Sequence, residues 1–326
     1  MVVATELSRR DFLKLCGLTG LGLGLSQSFL DEIVQALEEA VAGRPPVIWF
    51  QGASDAGCSI SLLNTVHPSI AEVLLELISC NFHPNIMAAA GDLAVSVLEE
   101  ALERYPGEFI LVVEGAIPTA NRGIYCVVGE REGAPVTALE WIKELGANSK
   151  ATLAVGTCAA YGGIPAANPN PTGCKGVGEV FRESGIDTPL INLPGCPPHP
   201  DWIVGTIFHV LKYGLPELDW LGRPKLFYGK LLHDICPRRS YYDNLEFATE
   251  FGEEKCLFML GCKGPMSYSD CPIRLWNGGV NWCIGSGAPC IGCVSPEFPD
   301  GTSPFFYTMQ EAAQVAVDIK EVNVHG

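Results

Sequence analysis

The sequence predicts an α/β protein: a doubly wound parallel sheet followed by a small, irregular C-terminal domain. Short apolar runs alternate with helical patterns from Val47 to about Gly214, as strands do when crossover helices join them and cover both faces of a sheet. That alternation stops near Leu215, and residues 220–300 are instead rich in Gly, Pro and Cys. A region of that kind buries too little apolar surface to hold itself together. The chain therefore divides into residues 1–42, 43–215 and 216–326, each with a different source of order.

The first segment reads as a twin-arginine export signal. Ser8-Arg9-Arg10-Asp11-Phe12-Leu13-Lys14 leads into an apolar, glycine-rich stretch from Leu15 to Leu25, too short to span a membrane comfortably. Ala40-Val41-Ala42 offers a small-residue cleavage site. The flanking Ser, Phe and Lys set this motif apart from a chance Arg-Arg pair ahead of a core helix.

In the second segment, Val47–Phe50 reads as a buried strand and Ser69–Ile78 as a helix. Ala88–Tyr105 has apolar residues at helical spacing, with Glu99 and Glu100 facing water. Phe109–Val113 is a second strand, Thr137–Leu145 a helix, Ala151–Val155 a strand, Val177–Glu183 a helix and Leu190–Leu193 a strand. Trp202–Tyr213 closes the set as a helix. Polar and thiol residues follow the strands at their carboxyl ends. Asp55 and Cys58 come after the first, Glu114 after the next, Cys158 after Val155 and Cys196 after Leu193. Ligands of open α/β sheets bind at that edge.

Composition narrows the chemistry. The 326 residues carry a net charge of −16, without the basic stripe a nucleic-acid binder would need. Loss of residues 1–42 leaves 18 basic and 31 acidic residues, a net charge of −13. The 14 cysteines in an exported chain would ordinarily indicate disulfides. Against that, the chain is far larger than disulfide-dependent miniproteins, and twin-arginine export carries proteins that fold and load cofactors first. Cys271, Cys283, Cys290 and Cys293 form one dense group, and His233, Cys236, Cys256 and Cys262 form another just upstream. Cys58, Cys158 and Cys196 lie in three glycine-rich turns. Four thiolates, or three and an imidazole, suit iron–sulfur clusters. Ligation would also supply the folding free energy that the C-terminal segment lacks.

Taken together, SRRDFLK, VVEGAIPT (112–119), GTCAAYGG (156–163), NPNPTG (168–173), PGCPPHP (194–200), HDICPR, LGCKGP and PCIGC resemble the small subunit of nickel–iron hydrogenases. The resemblance spans nearly the whole chain, with the motifs in the family's order. It implies a flavodoxin-like domain with a proximal cluster facing a large subunit, and a C-terminal domain with medial and distal clusters. The nickel–iron site would belong to that large subunit, so this chain itself would bind no nickel. Electrons from H2 would pass through the three clusters to an external acceptor such as a cytochrome, in the periplasm or on the outer face of the membrane.

On this resemblance the distal cluster takes His233, Cys236, Cys256 and Cys262, and the medial cluster takes Cys271, Cys283, Cys290 and Cys293. Many family members have proline at the position of Cys283 and hold a three-iron cluster; a fourth thiolate here implies 4Fe–4S. The proximal site departs the other way. Asp55 stands where the family's first cysteine would be, with Cys58, Cys158 and Cys196 completing the set. A carboxylate is a harder ligand than thiolate but keeps the negative charge; the competing reading is that Asp55 only caps a turn. All three clusters would then be 4Fe–4S.

Gly57 and Gly163 occupy the positions of two extra cysteines by which some members tolerate oxygen. Cys80, Cys126 and Cys174 read as packing residues. Glu114 would face the large subunit, in a proton-transfer, interface or purely hydrogen-bonding role. The tail from Glu311 to Gly326 carries no membrane anchor. Two other readings stay open: the cluster-bearing subunit of a related quinone-reducing respiratory complex, and an exported cysteine-rich protein holding zinc or disulfides.

Overall fold

The computed structural model describes residues 46–307; the leader expected over residues 1–42 and the tail from Glu311 lie outside the described residues. Five parallel strands form the central sheet: β1 (Pro46–Gln51), β2 (Ser79–Phe82), β3 (Ile110–Glu114), β4 (Ala151–Val155) and β5 (Leu190–Leu193). Their order, β2-β1-β3-β4-β5, is that of a flavodoxin-like sheet, whose topological switch point lies between β1 and β3. The helices packed on it are α1 (Gly57–Leu63), α2 (Asp92–Arg104), α3 (Ala138–Asn148), α4 (Thr157–Tyr161), α5 (Val177–Ser184) and α6 (Pro200–Tyr213).

The two-residue period of the strands divides the core in two. Val47, Trp49, Ile110, Val112 and Leu153 face one side, against Leu62 of α1 and Trp202 and Ile203 of α6. Ile48, Phe50, Leu111, Val113 and Ala154 face the other, against Leu98 of α2, Trp141 of α3 and Phe181 of α5. With both faces covered, the sheet leaves its carboxyl edge as the place for polar chemistry.

The two strands expected at Ala151–Val155 and Leu190–Leu193 have those bounds in the structure, and the other elements differ in instructive ways. The helix expected from Ala88 begins at Asp92, because Gly91 takes φ 59° and turns the chain there. The helix expected over Ser69–Ile78 opens with a Ser69–Glu72 capping box and widens to a π-helix over Val73–Leu77. Among the features that carried too little pattern to be foreseen are the edge strand β2, the short helices α1 and α4 and a hairpin of Val127–Arg131 with Ala134–Thr137.

Beyond α6 regular structure is sparse. The segments are short helices such as Lys225–Tyr228, Arg239–Asp243 and Cys271–Arg274, with single 3-10 turns between them. A small core of Leu232, Ala248, Leu257, Leu260, Trp282, Ile284 and Cys290 holds this region. It is docked firmly on the sheet half. Phe227, Tyr228 and Val294 join the core beneath α6. Arg274 Nη1 meets Asp201 Oδ2 at 3.0 Å, and Trp202 Nε1 donates to Asp270 Oδ1 at 2.8 Å. His199 Nε2 donates to the Leu275 carbonyl at 2.7 Å. No helix among the described residues is long and apolar enough to cross a membrane.

Candidate functional site

At the switch point the chain leaves β1 through Ala56, which is left-handed at φ 62°, and enters α1 with Cys58 in its first turn. Glu114, the last residue of β3, is fully buried and explains why that turn sits where it does. Its Oε1 accepts from the Cys58 and Ser59 backbone N–H groups at 3.0 and 3.2 Å. Its Oε2 accepts from Trp49 Nε1 at 2.8 Å, from Gln51 Nε2 at 3.0 Å and from the Ser59 hydroxyl. A buried carboxylate is tolerable only with such a set of donors. Glu114 thus pins the Cys58 turn to the sheet.

Cys158 follows Gly156, whose φ of 94° makes the sharp exit from β4. A Cβ at Gly156 would lie 2.6 Å from Cys58 Sγ, and one at Gly163 (φ 51°) would lie 2.9 Å from Cys158 Sγ. Bare glycines therefore leave room around the thiols. Burial, Glu114, Cys158, Asp55 and Cys196 push the Cys58 thiol well up; burial pushes Cys158 to about 11 and raises Cys196. The Asp55 charge acts on all three, so the four expected proximal residues lie near one another. Asp55 itself is exposed, and its Oδ1 accepts from the Gly57 N–H at 2.8 Å.

The medial four also gather. Burial, then Cys271 among other groups, raises Cys293 to about 12; Cys283 and Cys196 add to the push. Burial raises Cys290 well above the ordinary range, with Cys293 next in weight. Cys271 is pushed to about 11 by burial, opposed by hydrogen bonds from Ser269 and Trp276. Ser269 Oγ lies 3.3 Å from Cys271 Sγ.

The distal four line one recess: His233, Cys236, Cys256 and Cys262, with Leu232, Leu257, Ile284, Arg238 and Arg239 around them. Burial raises all three thiols and lowers His233, which favours the neutral imidazole that metal ligation requires. The Gly264 N–H points at Cys262 Sγ at 3.4 Å, and Tyr242 stands edge-on to His233 with ring centroids 4.4 Å apart.

These thiols are costly as buried thiolates unless a cation sits among them, and soft sulfur and imidazole donors fit iron–sulfur clusters. Every cysteine among the described residues is a free thiol. Among those residues no three His, Cys, Asp or Glu are gathered tightly enough to hold a single metal ion. Cys80 and Cys126 pack against the two sheet cores, and Cys174 is buried near Thr172. Sequence reasoning missed Ser59, Ser269 and Trp276. Their only signal was proximity in sequence to an expected ligand cysteine.

Two family models match the chain. One describes the C-terminal region of the NiFe/NiFeSe hydrogenase small subunit and matches residues 228–306. The other, "NADH ubiquinone oxidoreductase, 20 Kd subunit", matches residues 56–210. The chain is 53% identical over 313 residues to the periplasmic [NiFeSe] hydrogenase small subunit of Desulfomicrobium baculatum, covering 92% of this chain and 99% of the relative. It is 42% identical over 310 residues to the periplasmic [NiFe] hydrogenase small subunit of Solidesulfovibrio fructosivorans, covering 94% of each. The reduced, active Ni-Fe-Se hydrogenase of Desulfomicrobium baculatum superposes with a TM-score of 0.79 at 53% identity, over 81% of this chain and 99% of that one. The actinobacterial-type NiFe-hydrogenase of Ralstonia eutropha H16 gives 0.75 at 29% identity, over 86% and 90%.

Proposed function

Because the chain belongs to the small subunits of nickel–iron hydrogenases, we propose that its twelve gathered side chains hold the three clusters through which it serves as electron-transfer subunit. It is one half of a heterodimeric H2:acceptor oxidoreductase whose catalytic site lies on the large subunit. The proximal set is Asp55, Cys58, Cys158 and Cys196; the medial set is Cys271, Cys283, Cys290 and Cys293; the distal set is His233, Cys236, Cys256 and Cys262. The observation that carries this reading is the single recess lined by all four distal residues, which come from separate stretches of the chain. When bound, each cluster accepts and releases one electron. The chain's own part is to bury the thiolates, exclude water and aim N–H and O–H donors at the sulfurs, which tunes the potentials.

Each set is read as 4Fe–4S. At the proximal site Asp55 Oδ1 accepts from the Gly57 N–H, and the Asp55 carboxylate would be the fourth ligand. An imidazole in place of a thiolate removes negative charge and raises the distal potential. Residues 1–42 act as the twin-arginine signal, residues 43–215 form the flavodoxin-like domain and residues 216–326 the cluster-bearing domain. The periplasmic location follows the names of the relatives, and the acceptor is an external redox protein such as a cytochrome.

The test is anaerobic co-production with the large subunit, iron analysis and electron paramagnetic resonance before and after H2. Oxidised enzyme should be nearly silent, and H2 should bring up signals of reduced 4Fe–4S clusters. Asp55→Cys should keep the proximal cluster at a shifted potential, while Asp55→Ala should lose iron or activity. An alanine variant with full iron, normal potential and normal turnover would leave Asp55 a turn residue only.

A further inference from the structure

One hydroxyl outside the proposed ligand sets touches three of the segments that carry them. Thr157 opens α4 immediately before Cys158 and is 1% exposed. Its Oγ1 accepts from the Gly195 N–H at 2.9 Å, and Gly195 immediately precedes Cys196. The same hydroxyl donates to the carbonyl of Cys293, 136 residues away in sequence. The Thr157 N–H donates to the Gly195 carbonyl at 3.0 Å. A helical threonine with nothing better to do turns its hydroxyl back to a carbonyl of its own helix or the preceding turn. This one instead accepts from a neighbouring turn of its own half and donates across the boundary to the other half of the protein.

The contact joins the two proximal ligand turns to the medial ligand loop. On the far side of the medial loop the pattern repeats. The Lys263 N–H, next to Cys262, donates to the Cys290 carbonyl at 2.7 Å. The PCIGC loop is therefore hydrogen-bonded to a neighbouring ligand segment at each end. Electron tunnelling falls steeply with the gap between centres, so bonds that fix this loop also fix how well neighbouring clusters couple.

We propose that Thr157 is a positioning residue of the electron relay, its hydroxyl clamping the Cys293 loop against the Cys158 and Cys196 turns and so setting the proximal-to-medial coupling. The proposal rests on the ligand assignments above. Thr157 touches no reacting atom, and acts only through the backbone of residues beside the ligands. A valine of the same shape fills the space but leaves the buried Gly195 N–H and the part-buried Cys293 carbonyl without this partner. A serine keeps both bonds.

The test compares Thr157→Val and Thr157→Ser with wild type in the purified heterodimer. Iron content, and isotope exchange between H2 and heavy water, report cluster loading and the large subunit's chemistry; neither needs electrons to leave the enzyme. The magnetic interaction between the reduced proximal and medial clusters, and the rate at which the chain's clusters bleach after rapid mixing with H2, report the relay. Thr157→Val should keep iron and exchange, change the magnetic interaction and slow bleaching several-fold; Thr157→Ser should restore both. A valine variant with wild-type interaction and rate would overturn the proposal. So would a serine variant as impaired as the valine one, or a valine variant that loses iron and is thereby only a scaffold mutant. A wild-type protein without the reduced-cluster signals would instead remove the assignments beneath it.

Discussion

The sheet half and the cysteine-rich half are held together by different physics. In the first, five strands place their backbone groups in ladders, and Trp49, Trp141 and Trp202 are buried in cores on both faces. In the second, no labelled strand occurs among the described residues, and the longest helix is the five-residue Arg239–Asp243. Its apolar core is a handful of residues that already includes one proposed ligand, Cys290. Regular backbone and apolar burial suffice for one half, whereas the other is docked on α6 and, on the proposed ligand sets, would draw the rest of its order from ligation.

Iron limitation should separate the halves most sharply. Heterodimer produced without sufficient iron should lose hydrogen-exchange protection across residues 228–306 while the amides of β1, β3 and β4 stay protected, because cluster binding is folding free energy only for the former. Equal loss in both halves would erase the contrast. Next in size is Glu114→Gln. The amide NH2 must replace one of two oxygens that now face only donors, so at least one N–H or O–H is left opposed. Hydrogen bonds to charged groups contribute about 1.5–3 kcal/mol each, and a loss of that order should appear as a lower denaturant midpoint for the sheet half. An unchanged midpoint would mean Glu114 is not what pins the Cys58 turn. Cys283→Pro should change stability least, while giving a clear spectroscopic signature. Oxidised wild-type enzyme should lack a three-iron resonance and the variant should gain it; an intense three-iron signal in the wild type would remove Cys283 from the medial set.

The same contrast governs what the sequence could reveal. Strands such as Ala151–Val155 were legible because apolar runs and their flanking turns are local. The polar edge strand Ser79–Phe82 was not, since Ser79, Cys80 and Asn81 carry no apolar pattern and its pairing with β1 is tertiary. The proposed ligand sets rest on residue type, motif and the family resemblance, since thiols and a nearby imidazole have few other uses in that density. What their surroundings do was hidden. Glu114 meets Cys58 and Ser59 across 56 and 55 positions, and no local spacing encodes such a contact. Asp55 shows the limit from the other side: its position points to iron, while its 2.8 Å contact with the Gly57 N–H is one that any turn-capping aspartate would make.

If the C-terminal half is organised around clusters held by the gathered side chains, His233 carries the most distinctive signature of that arrangement. Pulsed electron paramagnetic resonance of the H2-reduced heterodimer should detect the nitrogen of an imidazole bound directly to a 4Fe–4S cluster. That coupling should vanish in His233→Cys while iron content is retained and the distal potential falls. Absence of the coupling in the wild type, or its survival in His233→Cys, would contradict a cluster-organised C-terminal half.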